Sequence, residues 1–383
     1  MAATAETENS HKGILPRVQL LTPDGKLQQH PRYSPYLQGL DRDTLCTFYR
    51  QMYISRRFDQ EATALQRQGQ MALWVPCQGQ EAAQVGSAYA YSPQDYIFPS
   101  YREHALAYAR GIDLSQLIQV FRGQDTLGWD PIKHGFHPYT LVLAAQIPQA
   151  VGYAMGLQLK KTQAQEAKEE AAAEENPAVA VYFGDGASTE GETHEAMVFA
   201  ASYNAPVLFF IQNNQWAISV PFSTQSRVPL AQRAAGYGFE GIRVDGNDVL
   251  AVAAVTKYAI EEIRAGRGPV LIEAETYRLG AHTTADDPSK YRSQEELEQA
   301  QQLDPLIRLK KYLTAQGYLD AALLEELDQQ ANRVAQEVRQ SVLNSADYDL
   351  ETFFTSAYAQ EHTQTEADRL AYRQYMAGFE DGA

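Results

Sequence analysis

Short apolar runs alternate with segments of helical periodicity over residues 178 to 276 of the chain. Four runs are typical of buried strands, because each is continuous in its apolar residues: AVAVYFG, PVLFFIQ, GIRVDG and PVLIEAET. Helices are predicted between them over 192–203, 230–236 and 248–264. Strands and helices that alternate in this way predict an α/β fold of three layers, a parallel sheet with helices on both faces.

Further helices are predicted on either side of this alternating region. Apolar residues recur at helical spacing over 41–68, another helix begins at Gln80, and a helix rich in small residues covers 144–161. The segment DYIF is predicted as a short strand, and the tip PSYR after it leads into one more helix. The C-terminal tail is predicted to be helical, with SQEE as a capping box and a proline at the first helical position after Asp304.

This pattern divides the chain into three parts. Residues 1–38 are polar, contain several prolines and are expected to form an N-terminal arm. Residues 39–317 are expected to form the α/β domain, with its binding core at about 140–292, and 318–383 a C-terminal helical extension. The charged, alanine-rich run TQAQEAKEEAAAEEN is expected to be a solvated face.

The composition is that of an ordinary globular protein, with 44% hydrophobic and 21% charged residues among 383. A formal net charge of −16 argues against a surface that binds nucleic acid. The two cysteines, Cys46 and Cys77, are too few for a disulfide framework or a four-cysteine metal site. The start lacks the apolar segment of a secretory signal, and no apolar stretch of about 18 residues predicts a membrane span. We therefore expect a cytoplasmic protein without a membrane span.

Polar residues stand at the ends of two of the predicted strands. GDG at 184–186 ends the first, and NN at 213–214 ends the second. The carboxyl ends of parallel strands meet at one edge of a sheet, where ligands bind in such folds. An aspartate and an amide oxygen suit Mg²⁺, and the N–H groups of a helix beginning near Ser188 suit a diphosphate. Taken alone, these residues fit an ordinary turn and strand stop equally well.

Several longer segments occur together in the order found in one enzyme family: AAQIPQAVG, YFGDGASTEGETHEA, QNNQWAIS, GYGFEGIRVDGNDVLAV and GPVLIEAETYRLGAHTTADDPSKYRS. Through them the chain resembles the α subunit of the E1 component of 2-oxo acid dehydrogenase complexes, from about Leu40 to about Gly317. GDG followed by NN is also the pattern of thiamine diphosphate enzymes. The resemblance implies the thiamine-diphosphate-binding form of the three-layer fold, with thiamine diphosphate and Mg²⁺ as cofactors.

The resemblance assigns site residues position by position. Asp185 and Asn214 would bind Mg²⁺ through their side chains, and Trp216, where relatives more often have Tyr, through its backbone carbonyl. Arg102 would supply a forked cation for phosphate oxygens, although without the family Tyr101-Arg102 reads as an ordinary exposed pair. Gln212 stands where some relatives have an arginine. The cofactor-binding set is Tyr101, Arg102, Leu143, Gly184, Asp185, Gly186, Ala187, Gln212, Asn214 and His282.

His282 is the catalytic residue that the resemblance implies, because it matches a family histidine implicated in transfer to the lipoyl group. A histidine can hold a diphosphate and transfer protons near neutral pH. Thr283 stands at the position of a regulatory phosphoserine of mitochondrial relatives, and we expect no such regulation here. Gln146 matches a residue of a potassium site in which Ala145 replaces a threonine. Four residues match a loop that orders around the cofactor: Arg278, Asp286, Tyr291 and Arg292.

The resemblance implies an enzyme that is active only with a separate β subunit, which supplies the glutamate that activates the cofactor, in an α₂β₂ heterotetramer. The reaction would be decarboxylation of a 2-oxo acid, followed by acyl transfer to the lipoyl domain of an E2 acyltransferase. The segments RQGQMALWVPCQGQEAAQVGSA and LAAQIPQAVG resemble branched-chain enzymes more than those that oxidise pyruvate or acetoin, although all share the cofactor motifs. Leu73 and Trp74 are expected to line an apolar pocket. Three other histidines lie where they could border that pocket: His104, His134 and His137.

Two other classes of protein stay open from the residues alone. A non-catalytic paralogue would fail to decarboxylate even with a complete β subunit. A Mg²⁺-dependent phosphatase would need more carboxylates at neighbouring strand ends, where GIRVDGND offers only Asp245 and Asp248.

Overall fold

The computed structural model describes residues 13–123, 128–166, 176–345 and 350–380. The chain divides into two compact units, Met1–Leu343 and Asn344–Ala383. Most of the run TQAQEAKEEAAAEEN and the first part of the expected N-terminal arm lie outside the described residues, so those two expectations stay predictions. The expected division at residue 317 also stays a prediction.

A six-stranded parallel sheet forms the centre of the first unit, in the order β1-β7-β8-β4-β3-β2. A separate antiparallel pair, β5 with β6, follows the end of β4. The strands are β1 (Arg17–Val18), β2 (Tyr96–Phe98), β3 (Val179–Gly184), β4 (Val207–Asn213), β5 (Trp216–Ala217), β6 (Val220–Pro221), β7 (Glu240–Asp245) and β8 (Val270–Glu275). This topology confirms the predicted parallel α/β fold.

Helices cover both faces of the sheet. In the first unit they are α1 (Arg42–Arg67), α2 (Glu81–Ala88), α3 (His104–Ala109), α4 (Leu114–Arg122), α5 (Pro131–His134), α6 (Gln146–Glu166), α7 (Gly191–Ser202), α8 (Phe222–Gln225), α9 (Arg233–Tyr237), α10 (Val249–Arg264), α11 (Gln294–Gln301), α12 (Pro305–Ala315) and α13 (Ala321–Leu343). Short 3₁₀ turns lie at Ser34–Leu37, Ala187–Thr189, Leu230–Gln232 and Pro288–Lys290. The second unit contains α14 (Leu350–Thr355) and α15 (Thr363–Glu380).

The core has two parts because alternate residues of each strand point to opposite faces of the sheet. Tyr182 of β3 and Phe210 of β4 pack on one face with residues of α1, α10 and α13. Val181 and Phe209 pack on the other face with residues of α6, α7 and α9. Burial on both faces explains why these strands read as continuous apolar runs.

The N-terminal segment is tied to the sheet by buried polar contacts. β1 pairs in parallel with β7, and the backbone N–H groups of Leu20 and Leu21 donate to the Asp248 carboxylate at 2.7 and 2.5 Å. The other oxygen of Asp248 caps α10. Asp245, at the end of β7, forms a buried ion pair with Arg308 at 2.9 Å. Both aspartates therefore have structural partners.

Two local predictions were wrong. The helix expected near Ser188 begins at Gly191, and the 3₁₀ turn Ala187–Thr189 precedes it. SQEE caps α11 in one direction only: the Ser293 hydroxyl accepts from the backbone N–H of Glu296, whereas the Glu296 carboxylate accepts from Trp216 and Tyr277. Among the described residues, no helix has the length and apolar character to cross a membrane.

Candidate active site

A cavity of about 520 Å³ lies at the carboxyl ends of β3 and β4, within the range of roughly 300–1,000 Å³ that is usual for ligand pockets. β3 and β4 pair in register up to Gly184 and Gln212, so the two strands end side by side. Every residue for which a cofactor, metal or catalytic role was predicted lines this cavity: Tyr101, Arg102, Leu143, Gly184, Asp185, Gly186, Ala187, Gln212, Asn214, Trp216 and His282. Their chemical roles stay predictions.

Asp185 follows β3 and is almost completely buried. Burial raises the pKa of its carboxyl group, while the hydrogen bond from Gln225 Nε2 at 2.7 Å opposes that rise. The backbone N–H of Asn214 and the charge of Arg278 act in the same direction as Gln225. Burial therefore disfavours the ionised form of this carboxyl group, and a divalent cation beside it would stabilise that form.

Asn214 and Trp216 present two more oxygens at the end of β4. Asn214 Oδ1 accepts from the Trp216 backbone N–H at 3.3 Å, and the Trp216 carbonyl accepts from Arg278 Nη1 at 2.9 Å. One carboxylate, one amide oxygen and one carbonyl form a hard donor set that suits Mg²⁺. The described residues contain no group of three His, Cys, Asp or Glu that could hold a metal, so this mixed set is the candidate site.

The turn after β3 offers backbone donors. The N–H groups of Ser188, Thr189 and Glu190 bond to carbonyls within the turn. Among the hydrogen bonds described for this segment, none uses the N–H of Gly186 or Ala187. Both residues line the cavity, and a Cβ at Gly186 would lie 3.0 Å from that of Ala217. The turn thus fits the phosphate-binding role expected of it, with a 3₁₀ turn in place of the predicted helix start.

The tip with Tyr101 and Arg102 is held from behind by buried polar side chains. Glu103 accepts from the Ser100 backbone N–H at 2.7 Å and from Gln212 Nε2 at 2.6 Å. Gln212 Oε1 accepts from Gln84 Nε2 at 3.0 Å. Gln212 therefore supports the tip as well as lining the cavity.

His282 lies between two arginines. Its Nδ1 is 3.2 Å from Arg102 Nη2 and 3.3 Å from Arg278 Nη1. A guanidinium group only donates hydrogen bonds, so the network assigns Nδ1 as the acceptor and places the proton on Nε2. Burial, together with the charges of Arg102 and Arg278, lowers the pKa of His282 to about 3. The imidazole is therefore neutral at physiological pH.

The loop that carries His282 is ordered by the residues that the family resemblance pointed to. Asp286 Oδ2 accepts from the His282 backbone N–H at 2.9 Å and from the Tyr291 hydroxyl. Arg278 Nη2 donates to Tyr291 at 2.9 Å. Arg292 donates to the Arg278 carbonyl. These contacts fix the position of the imidazole.

The apolar wall of the cavity differs in part from its prediction. Leu73 lines the cavity, but Trp74 is buried outside it, donates to Asp59 Oδ1 at 2.6 Å and stacks on His104 with ring centroids 4.4 Å apart. The prediction for Trp74 was wrong because its indole N–H finds a buried carboxylate. His104, His134 and His137 do not line the cavity either. Sequence analysis missed six apolar lining residues: Val75, Leu141, Ala144, Ala217, Ile218 and Val220.

Several polar side chains of the cavity also escaped prediction, among them Gln80, Glu103 and Gln225. Gln80 directly precedes α2, a position that could have drawn attention to it. Asp245 and Asp248 do not line the cavity. Their structural partners leave no second carboxylate cluster of the kind that the phosphatase alternative requires in the described residues.

The sequence matches one known family and several named relatives. The family model described as "Dehydrogenase E1 component" matches residues 49–350. The chain is 42% identical to 3-methyl-2-oxobutanoate dehydrogenase subunit alpha of Mycobacterium tuberculosis over 361 residues, 94% of each chain. It is 36% identical to pyruvate dehydrogenase E1 component subunit alpha of Acholeplasma laidlawii over 345 residues, 88% of this chain and 95% of the relative. The chain therefore belongs to the dehydrogenase E1 component family, whose members use thiamine diphosphate.

Proposed function

We propose that this chain is the α subunit of a 2-oxo acid dehydrogenase E1 component, an oxidoreductase that acts on branched-chain 2-oxo acids with thiamine diphosphate and Mg²⁺. The observation that carries the proposal is the cavity at the ends of β3 and β4, around which all the residues with expected cofactor roles lie. The 42% identity to a relative named for 3-methyl-2-oxobutanoate supports the substrate class.

The strand ends would hold the metal and the diphosphate. Asp185 and Asn214 would bind Mg²⁺ through side-chain oxygens, and Trp216 through its carbonyl. The N–H groups of Gly186 and Ala187 and the Arg102 guanidinium would bind phosphate oxygens. The oxygen atoms would bind the positively charged Mg²⁺, and the N–H groups would bind the negatively charged diphosphate.

Thiamine diphosphate, when bound, supplies the carbanion that attacks a 2-oxo group and stores the electrons as CO₂ leaves. The protein contributes orientation, exclusion of water and proton transfer. His282 is neutral and carries its proton on Nε2, so it enters the reaction as a hydrogen-bond donor. We propose that this N–H donates a hydrogen bond to the lipoyl sulfur during acyl transfer and stabilises the negative charge that develops there.

The cavity wall supports an aliphatic substrate. Leu73, Val75, Leu141 and Ile218 place apolar side chains around the polar strand ends. One extra methylene in an apolar pocket changes discrimination by about 1–3 kcal/mol. An aliphatic wall of this kind therefore favours 3-methyl-2-oxobutanoate over pyruvate.

The partners that we propose are a β subunit, in an α₂β₂ heterotetramer, and the lipoyl domain of an E2 acyltransferase. Leu141 and Val142 are about two-thirds exposed or more beside the cavity, at 67% and 71%. Apolar side chains at the edge of a site are typical of a surface that a partner covers. The β subunit would supply the glutamate that this family uses to activate the cofactor.

The test is to co-express the chain with an E1 β subunit and to measure decarboxylation with Mg²⁺ and thiamine diphosphate. We expect no activity from the isolated chain, and a higher kcat/KM for 3-methyl-2-oxobutanoate than for pyruvate from the heteromer. Acylation of a lipoyl domain should follow. A higher kcat/KM for pyruvate would make pyruvate the assigned substrate instead. Cofactor binding without decarboxylation would identify a non-catalytic paralogue.

A further inference from the structure

Two glutamines outside the predicted site lie directly behind the two side chains that would bind the metal. Gln80 contacts Asn214, and Gln225 contacts Asp185. Both glutamines line the cavity. In each, one end of the amide bonds to the predicted ligand and the other end has no partner among the described residues.

Gln80 is fully buried at the start of α2. Its Oε1 accepts from Asn214 Nδ2 at 3.3 Å, while its Nε2 is buried without a partner within the described part of the chain. An asparagine amide has one donor end and one acceptor end. An acceptor on the Nδ2 side therefore turns Asn214 Oδ1 away from Gln80 and leaves that oxygen available as a ligand.

The backbone before Gln80 is held rigidly. Gly79 has φ +92°, and a Cβ there would lie 2.1 Å from the Tyr277 carbonyl. Its N–H donates to the Glu81 carboxylate at 2.9 Å, and its carbonyl accepts from Thr276. The turn cannot shift without breaking these contacts, so the position of Gln80 is fixed before any ligand binds.

Gln225 ends the short helix α8. Its Nε2 donates to Asp185 Oδ2 at 2.7 Å and to the Val220 carbonyl at 3.3 Å. The Oε1 atom is buried, and the described residues offer it no hydrogen-bond donor. The amide thus holds Oδ2 of the Asp185 carboxylate and leaves Oδ1 without a contact to Gln225.

We propose that Gln80 and Gln225 are positioning residues of the metal site, which orient Asn214 and Asp185 for the cation. This inference rests on the proposed function. Buried amide atoms are normally hydrogen-bonded, because leaving one unpaired is costly. Gln119, Gln146 and Gln232 each have an unpartnered buried Oε1 as well, but neither Gln80 nor Gln225 is explained by packing alone, because the other end of each contacts a predicted ligand. Two such atoms beside two predicted ligands of one ion point to bound oxygen atoms or water as their partners.

The test uses the α–β heteromer and follows binding rather than turnover. Mn²⁺, as a paramagnetic substitute for Mg²⁺, is titrated in the presence of thiamine diphosphate, and free Mn²⁺ is measured by EPR. We expect Gln80→Met and Gln225→Met each to raise the Kd of Mn²⁺ at least about tenfold. Gln80→Glu keeps an acceptor for Asn214 Nδ2 and should restore the Kd to within about threefold of wild type. Gln116→Met, an exposed change on α4, should leave it unchanged.

Each outcome decides one point. If a methionine variant binds Mn²⁺ within threefold of wild type, that glutamine is not a positioning residue. If Gln80→Glu is as weak as Gln80→Met, the acceptor role toward Asn214 is wrong. Thermal unfolding and co-purification with the β subunit are measured in parallel, and a variant that fails either is replaced by Gln→Leu at the same position. If the wild type itself binds neither Mn²⁺ nor the cofactor, the proposed function fails rather than this inference.

Discussion

We expect the Asp185 carboxylate to favour metal binding and to lower the stability of the metal-free chain. Burial raises the pKa of its carboxyl group, so the ionised form is disfavoured in the metal-free chain. We expect Asp185→Ala to lower the affinity for thiamine diphosphate with Mg²⁺ at least about a hundredfold, because it removes the one carboxylate of the donor set. The same change should leave the Tm of the metal-free chain equal or higher, since it removes a buried charge.

Calorimetric titration and thermal unfolding in EDTA measure these two quantities on one preparation. Asp43→Ala, which changes an exposed aspartate on α1, serves as the control and should alter neither. Normal cofactor affinity in Asp185→Ala would refute the metal assignment. A large loss of Tm without metal would instead give Asp185 a structural role.

His104 makes the stability of the chain depend on pH. Its Nε2 lies 2.9 Å from the Val75 carbonyl, and its Nδ1 lies 2.9 Å from the Tyr139 hydroxyl. Burial lowers the pKa of His104 to about 3, from 6.5 in an exposed chain. Below pH 6.5 the unfolded chain therefore binds a proton at His104, whereas the folded chain binds that proton only near pH 3. The stability that the neutral imidazole supplies is complete above pH 6.5 and is lost as the pH falls.

His104→Gln removes this dependence. We expect the wild type to have the larger free energy of unfolding at pH 7.5, and the difference from the variant to shrink by about 2 kcal/mol at pH 5. Urea unfolding of the isolated chain at several pH values provides the measurement. A difference that stays constant with pH would mean that His104 has the same pKa in the folded chain as in the unfolded chain.

At the scale of elements, the hairpin β5–β6 stores strain at the cavity. Ala217 pairs with Val220, so Ile218 and Ser219 form its two-residue loop, and Ile218 has φ +54°. A β-branched residue is rarely found in this region of backbone space, and glycine is preferred at the first position of such loops. Arg278 Nη2 donates to the Ile218 carbonyl at 2.7 Å and holds the loop in place. The strained side chain lines the cavity.

Ile218→Gly should raise the free energy of unfolding by about 1 kcal/mol, as relief of roughly 1–3 kcal/mol of strain exceeds the entropic cost of glycine. It should also raise KM for branched-chain substrates, because an apolar wall residue is lost. Ile218→Ala is the matched control: it removes the same wall but keeps a Cβ, so KM should rise without a gain in stability. Equal stability of the two variants would show that Ile218 is unstrained.

The elements were predictable from sequence where one signal dominated. Asp304 caps α12 as the proline after it indicated, α10 begins directly after Asp248, where its helix was predicted to start, and the apolar runs predicted the strands. The predicted helix over 192–203 agrees with α7 within one residue, and what the sequence did not indicate is the separate 3₁₀ turn Ala187–Thr189 before it. Trp74 was misplaced because its partner, Asp59, lies on α1, and such a pairing has no local pattern.

The sequence predicted many of the residues that line the site, but not the residues that hold them in place. Family motifs marked the residues at the strand ends, and these do surround one cavity. Gln225 gave no signal, and Gln80 gave none beyond its position before α2, because each contacts a distant part of the chain: Gln80 and Asn214 are 134 positions apart. Such contacts depend on tertiary packing, which the sequence of a single element does not contain.

At the scale of the first unit, α6 and α7 present an exposed apolar face to the outside. Tyr153 and Leu159 of α6, Val198 and Phe199 of α7, and Tyr203 directly after α7 are each more than two-fifths exposed. Gln158 of α6 contacts the segment that follows α7, because its Nε2 donates to the Asn204 carbonyl at 2.7 Å. An apolar patch of this kind is typical of a surface between subunits. We therefore expect this face to be covered when α and β chains assemble.

Phe199→Glu tests that expectation, because a carboxylate buried in an apolar interface without a partner costs several kcal/mol. The variant should fold, since Phe199 is 53% exposed, but co-expression with the β subunit should yield a smaller particle by light scattering and little decarboxylation. Leu303→Glu, an equivalent change at a side chain 40% exposed after α11, should assemble normally. If the new carboxylate weakens assembly and has no other effect, decarboxylation should return at high protein concentration. A variant that assembles like the wild type would show that this face stays in contact with solvent, and the β subunit would then have to approach the cavity from the side of Leu141 and Val142.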